Sequence, residues 1–363
     1  MQNESVYTLN LLSKYRGQLM GLAALFIMIC HNSVYHPYSI NFGYIRPFFQ
    51  CGVDIFLLLS GIGCFYSFAK TPETLRFYKK RFIRLVPTYL IFVLIYGIWC
   101  ITIYSNSTGG FLHDFPVVKL FAGTYTKSAG EFLHEFSVIS FFTANVVTIW
   151  FVGAIIVLYL LFPLIYRLVL KSELAVWLLI LALYVINYIP ALVESGFIYS
   201  IFTLRIPSFL LGVMIGKRIR SGEIVISNKK VVLSFVLTAA IVALFIVVAK
   251  FDNYEGIDKW SVFRTLFFPL VYFWSVSLVC LFEKLKLDRN KAGRFLSKIG
   301  EVSFETYLIH VPLLGIFDKI AYRFINIDAV AGYVSNISAM IVAVLLGFAL
   351  KRLATLAVKP LNR

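Results

Sequence analysis

Charge is scarce in this chain. Asp, Glu, Lys and Arg make up 14% of its 363 residues, against roughly 25% in soluble domains. That is too little to clothe a water-facing surface of this size, which excludes a soluble enzyme. Cysteine is equally sparse. Cys30, Cys51, Cys64, Cys100 and Cys280 all lie in or beside apolar runs without metal-ligand spacing. They read as small buried apolar residues, and a disulfide framework is excluded. No small-residue cleavage site follows the first apolar run, so a removable signal peptide is not expected. P-loop and dinucleotide glycine fingerprints are lacking, as are internal repeats and low-complexity stretches.

What fills the chain instead is apolar sequence. Hydrophobic residues account for 60% and aromatics for 17%, with a mean hydropathy of +0.84. Runs of about 20 apolar residues recur, each the length that crosses a bilayer core. The expected fold is an all-α polytopic membrane protein with about ten transmembrane helices. The spans are placed near 17–35, 47–69, 83–104, 146–168, 174–192, 199–216, 231–250, 261–282, 302–320 and 332–350. A long extracytoplasmic loop is expected at about 105–145, with room for a partly ordered lid.

The net charge of +16 does not point to nucleic acid. Lys and Arg come in short clusters between apolar runs, the pattern of the positive-inside rule. If each span crosses once, 25 of the 34 basic residues fall on the side that holds both termini and nine on the other. Both termini are therefore expected in the cytoplasm. The densest basic stretch runs from Arg76 to Arg84 between the second and third spans. It serves topology and attraction to anionic lipid, or a phosphorylated cytoplasmic ligand met by Arg and Lys; the two roles are compatible.

Ionisable groups inside a bilayer are costly, and each is a candidate for function. His31 lies about four residues from the outer end of the first span, hence roughly 6 Å deep. Asp54 and Arg205 enter the second and sixth spans from the same side, each roughly 10 Å deep. Three ionisable groups from three helices thus share one layer. A His beside an Asp is a usual way to fix an imidazole for acid–base work, while Asp54 with Arg205 also fits a structural ion pair. Glu305 and His310 lie nearer the inner face on the ninth span and are spaced to satisfy each other. Glu131-Phe132-Leu133-His134-Glu135, with His113 and Asp114 upstream, matches no standard zinc motif, and no metal is expected.

Six segments, in order over positions 14–320, resemble the membrane-bound acyltransferase-3 family. Gly21 to His31-Asn32 resembles the family's first helix, which ends in an essential histidine. Gly52-Val53-Asp54-Ile55-Phe56 through Ser60-Gly61 is similar to its second motif, and the basic stretch Phe77 to Tyr89 follows. Further likeness lies in Trp150-Phe151 and Tyr159 to Pro163, in Arg205-Ile206-Pro207-Ser208-Phe209, and in Ser303 to Pro312 with Tyr307 and His310. Two positions depart from the family pattern. Met20 replaces an arginine, with Arg16 one turn earlier on the same helix face, and Ile155 and Ile156 stand where the family carries acidic residues.

The resemblance implies a single integral-membrane acyltransferase domain over 1–363, multi-pass in a cell membrane such as the bacterial plasma membrane. It implies an O-acyltransferase moving an acyl group, expected to be acetyl, from cytoplasmic acyl-CoA to a hydroxyl of an extracytoplasmic polysaccharide or glycoconjugate. Acyl-CoA is a co-substrate, and no bound cofactor is expected. His31 would be general base with Asp54 orienting it; an acyl-histidine route stays open. Arg16, Lys79, Lys80, Arg81 and Arg84 would hold the donor's phosphates. Arg205, Trp150, Tyr159, Tyr307 and His310 would line the substrate site, with the ninth span otherwise expected to be mainly structural. A transporter or flippase of a small anion or lipid-linked sugar also fits buried charges in ten helices, and a membrane sensor or scaffold is a third reading.

Overall fold

The computed structural model describes residues 7–31, 43–105, 150–189, 197–222, 224–250 and 259–359. The expected loop at 105–145, and the acidic and histidine stretch within it, lie outside the described residues beyond Ser105. Each of the ten predicted spans contains a helix. In chain order these are α1 (Leu11–Lys14), α2 (Arg16–His31), α3 (Cys51–Lys70), α4 (Thr74–Ser105), α5 (Trp150–Lys171) and α6 (Glu173–Asn187). They continue with α7 (Phe197–Thr203), α8 (Ile206–Ser221), α9 (Asn228–Lys250), α10 (Lys259–Lys284), α11 (Lys291–Glu301), α12 (Ser303–Phe324) and α13 (Asp328–Val358). A 3-10 helix, Gly43–Gln50, leads into α3.

Among the described residues, seven helices are long and apolar enough to cross a membrane. α2 and α6 are apolar but shorter, and α12 has the length but carries Glu305, Asp318, Lys319 and Arg323. The best-buried apolar windows are those of α3 and α8, each 78% buried, against 22% for α9 and 28% for α13. The outward side chains on α9 and α13 include Val232, Leu233, Val236, Ile337, Ile341 and Leu345. Exposed apolar side chains along each of these helices suit lipid rather than water. This is an all-α membrane protein.

One expected boundary moves. The third span was placed from 83, with a basic loop before it, yet α4 begins at Thr74. No glycine or proline separates Thr74 from Arg84, and α4 runs unbroken through the whole cluster. Lys79, Lys80, Arg81 and Arg84 are therefore helical residues, with Lys80 and Arg84 one turn apart on one face.

The helices sort into two compact units. The first draws on the described residues of Met1–Ile27, Gly43–Tyr78 and Ala154–Glu301. Its aromatic core places Phe245 against Phe263 and Phe267 at 5.3 and 5.2 Å between ring centroids. A two-stranded antiparallel ribbon, β1 (Tyr7–Thr8) with β2 (Val225–Ile226), pairs Tyr7 with Ile226 and Thr8 with Val225. Nearby, Lys14 Nζ meets Glu283 at 2.6 Å and Asp288 at 3.4 Å. Desolvation works against the Asp288 charge, but Lys14, the Tyr15 hydroxyl and Arg289 outweigh it and hold this carboxyl below the usual carboxylate range. The second unit draws on Met28–Phe42, Lys79–Gly153 and Val302–Arg363, and at its centre α12 and α13 pack as a helical hairpin.

Within the first unit, α3 and α8 approach backbone to backbone. A Cβ at Gly61 would strike the Phe209 carbonyl, and one at Gly212 the Leu58 carbonyl. Small residues permit this approach between apolar helices, where packing rather than water drives association. Gly212→Val should cost about 1–3 kcal/mol through forced separation of packed helices. Gly222→Ala, at a glycine with open space around it, should leave stability unchanged. Thermal unfolding of purified protein in detergent checks this, and equal loss from both substitutions would contradict the close-crossing account.

Candidate functional site

Among the described residues, each unit holds a buried polar constellation that contains residues singled out by the sequence. In the first, Asp54 is wholly buried on α3 and Arg205 is 3% exposed at the N-cap of α8. The guanidinium Nη1 bonds Asp54 Oδ2, and Ser208 Oγ donates to Asp54 Oδ1 at 2.8 Å. Arg205 also donates from Nη1 to the Gln50 carbonyl at 3.2 Å and from Nη2 to Gln50 Oε1 at 3.4 Å. Its charge lies over the Phe267 ring, 5.1 Å from the centroid. The local sequence explains the placement. Pro207 suits the first turn of a helix, where a missing amide costs nothing, so Arg205 falls in the break before α8 and Ser208 just inside it. The same-layer expectation for Asp54 and Arg205 is met as an ion pair.

Sequence reasoning missed three members of this constellation: Ser208, Gln50 and Arg264. Arg264 is 2% exposed, donates to Ser200 Oγ at 3.2 Å, and acts electrostatically on Asp54. An arginine within the apolar run of α10 is the available signal.

In the second unit, His31 ends α2 and His310 lies on α12 at 2% exposure. His31 Nδ1 is 3.0 Å from His310 Nε2, and His310 Nδ1 is 2.7 Å from the Tyr307 carbonyl oxygen. The two rings are 5.0 Å apart and tilted by 54°. Tyr307 stands against His310 at 5.8 Å and against Phe151 at 5.3 Å, and Trp150 meets Phe151 at 6.0 Å. Thus His31, His310, Tyr307 and Trp150 belong to one aromatic-lined cluster. The pairing of His310 with Glu305 expected from their spacing is not what forms. Five residues separate them, which turns them to different sides of the helix, and the cations acting on Glu305 are Lys351 and Arg84.

A contact on the His31 ring is made by His310. His31 Nδ1 is engaged by that ring, and both Asp54 oxygens are engaged by Arg205 and Ser208. Of the remaining candidates, Lys79, Lys80 and Arg84 are exposed on α4 and Arg81 is half-buried. Arg16 is in the first unit, its guanidinium packed across Gly63 of α3. Tyr159 is buried in the same unit, 6.4 Å from Phe77.

The Asp54–Arg205 geometry predicts a specific stability pattern. Removing either partner alone strands a buried charge, so Asp54→Leu or Arg205→Met should each cost about 3–5 kcal/mol. The double substitution should cost less than either single one. A double-mutant cycle on thermal stability in detergent measures this; additive losses would show that the two groups are not energetically paired.

The comparison with curated proteins finds no match, nor does the comparison with solved structures. The family model described as an acyltransferase domain, Acyl_transf_3, matches residues 19–352. That covers nearly the whole chain, including both polar constellations and the basic turn of α4. The chain belongs to the acyltransferase-3 family and is a membrane acyltransferase.

Proposed function

We propose that this protein is an O-acyltransferase that takes an acyl group, acetyl in the first instance, from cytoplasmic acyl-CoA. The acceptor is a hydroxyl of an extracytoplasmic polysaccharide or glycoconjugate. The observation that carries this reading is the pair of histidines, held by hydrogen bonds in a chain whose family performs acyl transfer. Taken over ten crossings, the charge asymmetry supports a cytoplasmic position for both termini, and a plasma membrane of bacterial type is the proposed location.

A donor whose phosphates cannot enter hydrocarbon is held at the membrane surface by cations. Lys79, Lys80, Arg81 and Arg84 supply them on one helix, and Lys351 lies with Arg84 around Glu305. Glu305 is five residues before His310 on α12, roughly 8 Å along the axis, with Tyr307 between them. The pantetheine arm then runs from the cationic end along Tyr307 toward the histidines. His31 acts as general base on the acceptor hydroxyl, whose oxygen attacks the thioester carbonyl. Trp150 and Tyr307 present aromatic faces against which a sugar ring can stack. Asp54 and Arg205 stabilise the helix crossing in the first unit.

His31→Ala should insert normally, since alanine is well tolerated in a helix, and should lose acyl transfer by about 10²–10⁴-fold, the span a general base contributes. The assay is transfer from labelled acetyl-CoA to envelope carbohydrate in membranes with matched amounts of each variant. Near-normal transfer would remove His31 from the chemistry. Neutralising Lys79, Lys80, Arg81 and Arg84 together should raise the KM for acetyl-CoA and leave that for the acceptor unchanged, and added salt should reproduce part of the effect. An unchanged donor KM would return this turn to topology alone.

A further inference from the structure

The hydrogen-bond directions in the histidine pair are fixed by valence. The Tyr307 carbonyl can only accept, so His310 Nδ1, 2.7 Å away, carries a proton and donates it. His310 is 2% exposed, and a cationic imidazole buried to that degree needs an ionised partner. The bonds it makes in the structure are to neutral backbone groups of Tyr307 and Thr306 and to another histidine. A neutral imidazole carries one proton, so His310 Nε2 bears a lone pair. His31 Nδ1, 3.0 Å from that lone pair, must then be the donor. With its proton on Nδ1, a neutral His31 has its basic lone pair on Nε2.

We infer that His310 is a positioning residue that selects the tautomer of His31, through the chain His31 Nδ1–H to His310 Nε2 and His310 Nδ1–H to the Tyr307 carbonyl. The inference rests on the proposed role of His31 as base and assigns the atom that does the work. The acceptor's hydroxyl proton passes to His31 Nε2 as its oxygen bonds to the thioester carbonyl carbon. The carbon–sulfur bond then breaks, and the proton on His31 Nε2 passes to the departing sulfur, giving the acyl ester and free CoA thiol. Throughout, His310 Nε2 accepts the His31 Nδ1–H. That bond strengthens while His31 is an imidazolium, because charge-assisted hydrogen bonds are roughly twice as strong as neutral ones. An interaction that grows toward the transition state raises kcat rather than lowering KM. His310 thus fills the place that a carboxylate holds in a hydrolase triad, fixing tautomer and ring orientation.

The test has two readouts. In full-length protein labelled with ¹⁵N-histidine, the His31 signals are identified by their loss in His31→Ala. They should show a protonated Nδ1 and an unprotonated Nε2 in the resting enzyme. In transfer assays, His310→Leu fills the space but offers no acceptor, and should lower kcat about 10²-fold or more with the KM for acetyl-CoA unchanged. His310→Gln presents an amide oxygen where Nε2 stood and should keep kcat within about tenfold of wild type. An unprotonated Nδ1 on His31 in the wild type overturns the inference, and so does equal loss of kcat in the Leu and Gln variants. Full transfer by His31→Ala would sink the general-base reading instead, whatever the tautomer proves to be.

Discussion

A wholly buried carboxylate is the constraint around which the first unit is organised. Asp54 has no water to solvate it, and an unpaired charge in a medium of low dielectric constant costs several kcal/mol even after relaxation. Its answer is Arg205 on one oxygen and Ser208 on the other. Both come from the start of α8, which must therefore lie close against α3. Gly61 and Gly212 make that possible by removing the side chains that would hold the two backbones apart. Phe267 covers the guanidinium, and Gln50 takes two more of its N–H groups. Ion pair, glycine crossing and aromatic cover form one solution, and changing any part puts the others under load.

The second unit meets a different demand at α12, and meets it in part: among the described residues, Thr306 Oγ1 and Asp318 Oδ2 are buried without a hydrogen bond. A helix that carries Glu305, Thr306, His310 and Asp318 within an apolar protein needs an internal partner for each polar atom. Ser335 of α13 bonds Asp318, and Gly347 gives Thr306 room at the hairpin. Pro312 lacks the amide that would bond the Leu308 carbonyl, which loosens the helical ladder at the turn where the His310 ring folds back onto the Tyr307 carbonyl. The sequence of this one turn, Tyr307-Leu308-Ile309-His310-Val311-Pro312, thereby sets both the ring and its proton.

Much of this was legible in the residues. The apolar runs announced every described spanning helix, and the polar residues inside them marked both constellations, because burial of ionisable groups leaves a plain signature in a hydrophobic sequence. Depth along a helix also brought Asp54 and Arg205 to one layer. Depth alone does not settle azimuth, however. The His31 ring nitrogen meets His310, on a helix nearly 280 residues away in the chain, a partner that level along the spans does not pick out. Ser208 and Gln50 were invisible for another reason: neutral polar residues are common enough in helices that their partners emerge only from packing. The start of α4 was missed because a basic cluster reads as a loop in hydropathy, although Lys and Arg are good helix formers.

The two constellations also show why a histidine suits the partner position on His31. A carboxylate there would need its own counter-charge and donors, as Asp54 needs Arg205, Ser208 and a close helix crossing to hold them. A neutral imidazole needs only a backbone carbonyl on its own helix, here that of Tyr307 three residues away. In the proposed reaction, charge arises on His31 while the acceptor's proton is in transit, when the hydrogen bond from its Nδ1 is strongest. Stabilisation is concentrated at the transition state rather than spread over the resting enzyme. In a hydrocarbon-bounded protein, where a standing charge must be compensated all the time, that is the less costly way to orient a base.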